Sequence, residues 1–144
     1  MKRIHLLAVA DGEGAETFRP WFAALAGRGL RCGWLDYRGA GSIPLGLEEA
    51  AQAGAVRAVD VAEQRTVVVK ARKGPAVLED LLREHFRGCA AVLVRGAEGR
   101  VQDRLEALPE GRWRVRSAAG RIFEGSAEEL IGRLSRPRPW GSEE

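Results

Sequence analysis

A chain of 144 residues with 45% hydrophobic and 30% charged side chains has the composition of one soluble globular domain, which typically runs to roughly 100–200 residues. Its formal charge of +3, carried almost wholly by Arg, is too small by itself to signal a nucleic-acid surface. No apolar run approaches the roughly 18–20 residues that span a bilayer, and two cysteines without a C-x-x-C spacing, with His5 and His85 far apart, give no metal-ligand pattern.

Met1, Lys2 and Arg3 lead directly into the first apolar segment, so a cytoplasmic protein with no membrane contact is expected. Residues 4–10 (Ile-His-Leu-Leu-Ala-Val-Ala) predict a first strand. It feeds the turn Asp11-Gly12-Glu13-Gly14 and then a helix on which Phe18, Trp21, Phe22, Leu25 and Ala26 recur at helical spacing, stopped by Gly27 and Gly29. A strand, Gly turn and helix in this order present backbone N–H groups and a helix N-terminus to an anionic ligand. The side chains for phosphate chemistry differ, however, from the G-x-x-x-x-G-K-[ST] pattern.

Residues 30–36 predict a second strand, followed by a Gly-rich stretch over 37–43 and a short helix opening at Pro44 and ending at Gly54. Residues 56–61 and 66–71 predict two strands joined by a short polar turn, an antiparallel piece within a mainly parallel sheet. Pro75 opens a helix that carries Val77, Leu78, Leu81, Leu82 and Phe86 on one face. His85 lies beside that stripe and reads as a packed or half-exposed side chain. The apolar run 90–94 predicts a strand buried on both faces and ending at Arg95-Gly96. A helix over 100–108 follows, stopped by Pro109 and Gly111. Residues 112–116 alternate strictly, placing Arg112, Arg114 and Arg116 on one face. That pattern fits a solvated edge strand, or a nucleic-acid face if the arginines are free. Ser126 and Glu129 form a capping box for the last helix, and residues 137–144 predict a flexible Pro/Arg/Trp tail after a single domain over 1–136.

The order of these elements resembles the MobB family, the molybdopterin-guanine dinucleotide biosynthesis adaptors. The carrying residues are Gly12 to Phe18 at the loop, Leu25 to Leu35, the Ala-Gly-Ala turn Ala53-Gly54-Ala55, and Ala91 to Gly96, where the family has a strand ending Val-Glu-Gly. The resemblance covers roughly residues 3–96. It implies a three-layer, P-loop NTPase-like α/β fold with a mainly parallel sheet and helices on both faces. It also implies a homodimer that binds GTP with Mg²⁺ and assists a molybdopterin-guanylyltransferase. The nucleotide loop would be Gly12, Glu13, Gly14, Ala15, Glu16 and Thr17, faced at a second edge by Asp36, Arg38, Arg95 and Gly96.

Three positions depart from the family pattern: Ala15 replaces the phosphate-gripping Lys, Glu16 the magnesium-holding Ser or Thr, and Arg95 the acid closing the later strand. A carboxylate at Glu16 repels phosphate, and in working loops the Lys and Mg²⁺ neutralise that charge. The expectation is therefore a non-hydrolysing accessory protein with no catalytic residue, in which Glu16 and Arg95 pair directly. Alternatives are a GTP-dependent enzyme whose cation comes from Arg19, Arg38 or Arg95, and an interaction module using the Arg strand and the tail. A further alternative is an acidic pair, Asp11 and Asp36, holding a metal.

Overall fold

The computed structural model describes residues 3–37, 45–72, 74–97 and 99–141. The chain divides into two compact units, one from residues 1–38 and 82–144 and one from residues 39–81. The elements run β1 (His5–Val9), a 3₁₀ turn (Ala15–Phe18), α1 (Arg19–Gly27), β2 (Arg31–Asp36), α2 (Leu45–Gln52), β3 (Arg57–Val61), β4 (Thr66–Lys70), α3 (Leu78–His85), β5 (Cys89–Arg95), β6 (Arg104–Ala107), β7 (Trp113–Arg116), β8 (Ile122–Gly125) and α4 (Ala127–Gly132).

The first unit is built on a six-stranded sheet of order β2-β5-β1-β6-β7-β8. It is parallel from β2 through β6 and antiparallel from β6 to β8. The apolar runs of β1 and β5 place them at the centre, where Leu7, Val9 and residues 91–94 are almost wholly buried. Leu7, Val9, Ala91 and Leu93 share one core with Phe18, Trp21 and Leu25 from α1 and its leading turn, and with Leu130 and Ile131 from α4. Burying each large side chain of this kind contributes about 1.5–3 kcal/mol. Trp21 meets Trp113 edge-on at 5.9 Å, and Phe18 lies 5.7 Å from the same ring. On the other face of the sheet, Phe86 packs over Gly33, whose missing Cβ would stand 2.4 Å from Phe86 Cδ1. Cys32 and Cys89 are free, half-buried thiols, and burial pushes the Cys32 thiol up to about 12.

The second unit holds α2 and the hairpin β3-β4, registered Val59 to Val68. The pairing is the one predicted. The hairpin, though, forms its own two-stranded sheet and not an insert in the large one. The antiparallel part of the large sheet comes from β6 to β8, where a helix was expected over 100–108. Val101, Leu105 and Leu108 mimic helical spacing, yet Leu105 is buried opposite Val115 in a ladder, and Pro109 and Gly111 form the hairpin turn between β6 and β7. Consequently β7 is an interior strand, not an edge. β8, too short to give a periodic signal, was not foreseen.

The α4 capping box is present: Ser126 Oγ accepts from the Glu129 N–H at 3.1 Å, and the Ser126 N–H donates to Glu129 Oε1 at 3.5 Å. The stretch expected as a loose tail is docked as far as Gly141. Trp140 is 4% exposed and packs on Phe123, and Arg133 Nε donates to the Pro139 carbonyl at 2.9 Å. None of the described helices is long and apolar enough to cross a membrane.

Candidate functional site at the carboxyl edge of the parallel strands

Three neighbouring parallel strands, β2, β5 and β1, end at one edge. Their register sets Arg95 directly beside both Asp36 and Val9. The Arg95 guanidinium donates from Nε to Asp36 Oδ2 at 3.0 Å and also from Nη2 to that oxygen, while Nη1 donates to the Glu13 carbonyl at 3.1 Å. It lies 5.6 Å from the centre of the Trp34 ring. The hydrogen bond to Asp36 raises Arg95 above its ordinary value, with the Asp36 and Asp11 charges adding to it against some desolvation. One residue on, the Gly96 N–H donates to Asp11 Oδ1 at 3.1 Å, and the Tyr37 N–H to the Arg95 carbonyl at 3.0 Å. Asp11, Glu13, Asp36, Arg95 and Gly96 are thus tied in one knot that fastens the first loop to the ends of two strands.

The expected Glu16–Arg95 pair is absent. Glu16 instead takes a two-pronged bond from Arg19, Nε to Oε1 at 2.7 Å and Nη2 to Oε2 at 2.8 Å, in full solvent. That bond, with the Arg19 charge, lowers Glu16 below its ordinary value. The reason is local: positions three apart on a helical turn meet at almost no cost in chain entropy, whereas Arg95 already faces Asp36 across a strand pair. Thr17 Oγ1 donates to Glu13 Oε2 at 2.9 Å. Gly12 and Gly14 have no positive φ, and a Cβ built on either meets nothing within 4 Å. The fold alone does not demand glycine there, so the bare backbone is open to a ligand. Arg38 lies outside the described residues.

Of the acidic pair, Asp36 is engaged by Arg95 and Asp11 accepts the Gly96 N–H, and no group of three or more metal-ligating side chains occurs among the described residues. The two arginines within β7 are paired with carboxylates of the flanking strands. Arg114 pairs with Glu124 at 2.8 Å and with Glu106 at 3.7 Å, and Arg116 pairs with Glu106 at 2.7 Å. This alternating ladder is a sheet-surface device and not a free cationic patch.

β1 and β6 are paired at Ala8 and Arg104 alone, reinforced by the Ala8 N–H on the Asp103 carbonyl at 2.7 Å. Past that rung the strands diverge. Two clefts flank the divergence, of about 530 and 590 Å³, within the range of roughly 300–1,000 Å³ that takes small-molecule ligands. Ala10 and Arg104 line both, Asp11 the first, and Glu13 and Phe18 the second. Arg104 makes no ion pair with any described residue. It is the cation that the sequence reading missed, because a helix over 100–108 would have carried it elsewhere. Tyr37 was missed as well: its hydroxyl is buried without a partner, and the Arg100 guanidinium lies 4.8 Å from its ring centre. Burial raises the phenol, against a smaller opposing effect of Arg100.

Among protein-family models none matches this chain, and no curated protein matches it.

Proposed function

We propose that this chain is a non-hydrolysing, MobB-like accessory protein of molybdopterin guanine dinucleotide biosynthesis. On this reading it takes a guanine nucleotide against the backbone of residues 12–16 and works as a homodimer beside a guanylyltransferase. The observation that carries the proposal is Arg95. It stands at the strand end where the resemblance expects an acid, and it holds the first loop through the Glu13 carbonyl while consuming Asp36. On this reading, an arginine in that knot holds the first loop against the strand ends and occupies a carboxylate that a metal would otherwise use.

The residues present do not fit Mg²⁺, since Glu16 is committed to Arg19 and Asp36 to Arg95, so no step through the metal is derived. They do fit an anion. Gly12 and Gly14 leave the backbone uncovered, and Arg104 lies at the adjoining clefts. Charge-assisted bonds from an unpaired guanidinium are about twice as strong as neutral ones. A fold that keeps a loop without its chemistry suits binding or presentation better than turnover.

Titration calorimetry with GTP, GDP and ATP, with and without Mg²⁺, tests this. The expected result is guanine-selective binding that is indifferent to Mg²⁺, weakened about tenfold in Arg104→Ala and weakened also in Gly14→Val at unchanged Tm. Absence of heat with every nucleotide retires the nucleotide. It would leave the reading of a protein-interaction module, favoured by the valines that the β3-β4 hairpin exposes: Val59, Val61, Val67 and Val68.

A further inference from the structure

The amino-terminal edge of the parallel strands carries a separate cavity of about 270 Å³, lined among others by Arg3, His5, Asp103, Arg138 and Trp140. Its position follows from the topology. His5 opens β1, Asp103 precedes β6, and the docked segment after α4 brings Arg138 and Trp140 to the same edge. Trp140 is fixed there. Its ring meets Phe123 edge-on at 5.6 Å, and Arg133 stacks 4.1 Å over Phe123 while holding the Pro139 carbonyl. Although Trp140 is 4% exposed, its indole N–H has no hydrogen-bond partner. Native interiors leave few such donors unanswered, and each calls for an explanation.

The charges around that donor are unbalanced. Neither Arg3 nor Arg138 makes an ion pair with a described residue, and the one lining carboxylate, Asp103, accepts the Ala118 N–H at 3.0 Å. Arg3, Arg138 and Trp140 line one small cavity, and paired guanidinium groups are the donors that recognise a tetrahedral oxyanion. The volume lies below the roughly 300–1,000 Å³ of cavities for drug-sized ligands, so the fitting ligand is small. We propose that this cavity is a binding site for a phosphate-type oxyanion, with Arg3 and Arg138 supplying the charge and the Trp140 ring forming one wall. His5 is its natural reporter. Burial first, and then the Arg3 charge, hold its imidazole below the ordinary 6.5, opposed by a backbone bond at Leu134 and by the Asp103 charge. An anion beside Arg3 relieves part of that depression.

The test is an NMR titration of the full chain with inorganic phosphate, against chloride at matched ionic strength, following the indole and imidazole resonances. The chain has four tryptophans and two histidines, and Trp140→Phe identifies the indole. Saturable movement of the Trp140 indole and of His5, with His85 unmoved and chloride inert, is the expected result. Arg3→Ala and Arg138→Ala should each weaken the phosphate about tenfold while keeping the dispersed indole spectrum of the folded chain. Movement that does not saturate, that chloride reproduces, or that both folded variants retain unchanged, overturns the assignment.

Discussion

Arg95 shows how one side chain can tie a loop to the ends of two strands through hydrogen bonds and charge alone. It reaches Asp36 and the Glu13 carbonyl together because its guanidinium is a rigid fork; a lysine offers a single point charge. Arg95→Ala removes the bonds to Asp36 and to the Glu13 carbonyl together. It is expected to lower Tm by a few degrees, with Arg95→Lys between the two, whereas Glu16→Gln breaks only a solvent-exposed pair and leaves Tm unchanged. Thermal unfolding checks this, and equal Tm values for Arg95→Ala and the parent would mean that the knot holds nothing. At this scale the sequence was half legible. Asp36, Arg95 and Gly96 were recognisable as neighbours, because each follows an apolar run that ends at the same sheet edge. Their partners were not, because pairing depends on strand register and on the competing local reach of Arg19, and neither is written in composition.

At the scale of elements, long periodic segments declared themselves. The core stripe of α1, the buried run of β5 and the capping box of α4 each rest on a signal within a single segment. The meander did not, since β6 and β8 are four-residue strands whose identity comes from the partners beside them. Gly33 exposes a similar blind spot: it looks like an ordinary weak point in a strand, yet its lack of a side chain makes room for Phe86. Gly33→Ala should cost about 1–3 kcal/mol by overpacking, measured by denaturant unfolding, and Gly33→Ala/Phe86→Leu should recover a large part of it. A fully additive double variant would show that the two sites do not compete for the same space.

For the whole molecule, the proposed homodimer is the open prediction. The β3-β4 hairpin turns Ala58 and Val69 toward partial burial while Val59, at 51% exposed, and Val68, at 49%, lie paired across its other face. A two-stranded ribbon with apolar residues in water is a pairing template. Val68→Lys, at an exposed position that costs the fold little, should therefore convert a dimer to a monomer in sedimentation velocity. A parent chain already monomeric at high concentration, or a variant that remains dimeric, removes this ribbon as the interface.

The single rung between β1 and β6 bears on how the sheet can deform. Backbone hydrogen bonds fix strands in discrete steps, whereas apolar contact is non-directional and tolerates sliding. Across that seam the halves of the sheet share one apolar core, in which Phe18 and Trp21 lie against Trp113. Along this seam the opening beside Ala10 is bounded by side-chain packing more than by directional backbone bonds, so its width answers to substitutions in the core sooner than to any change in the strand ladder.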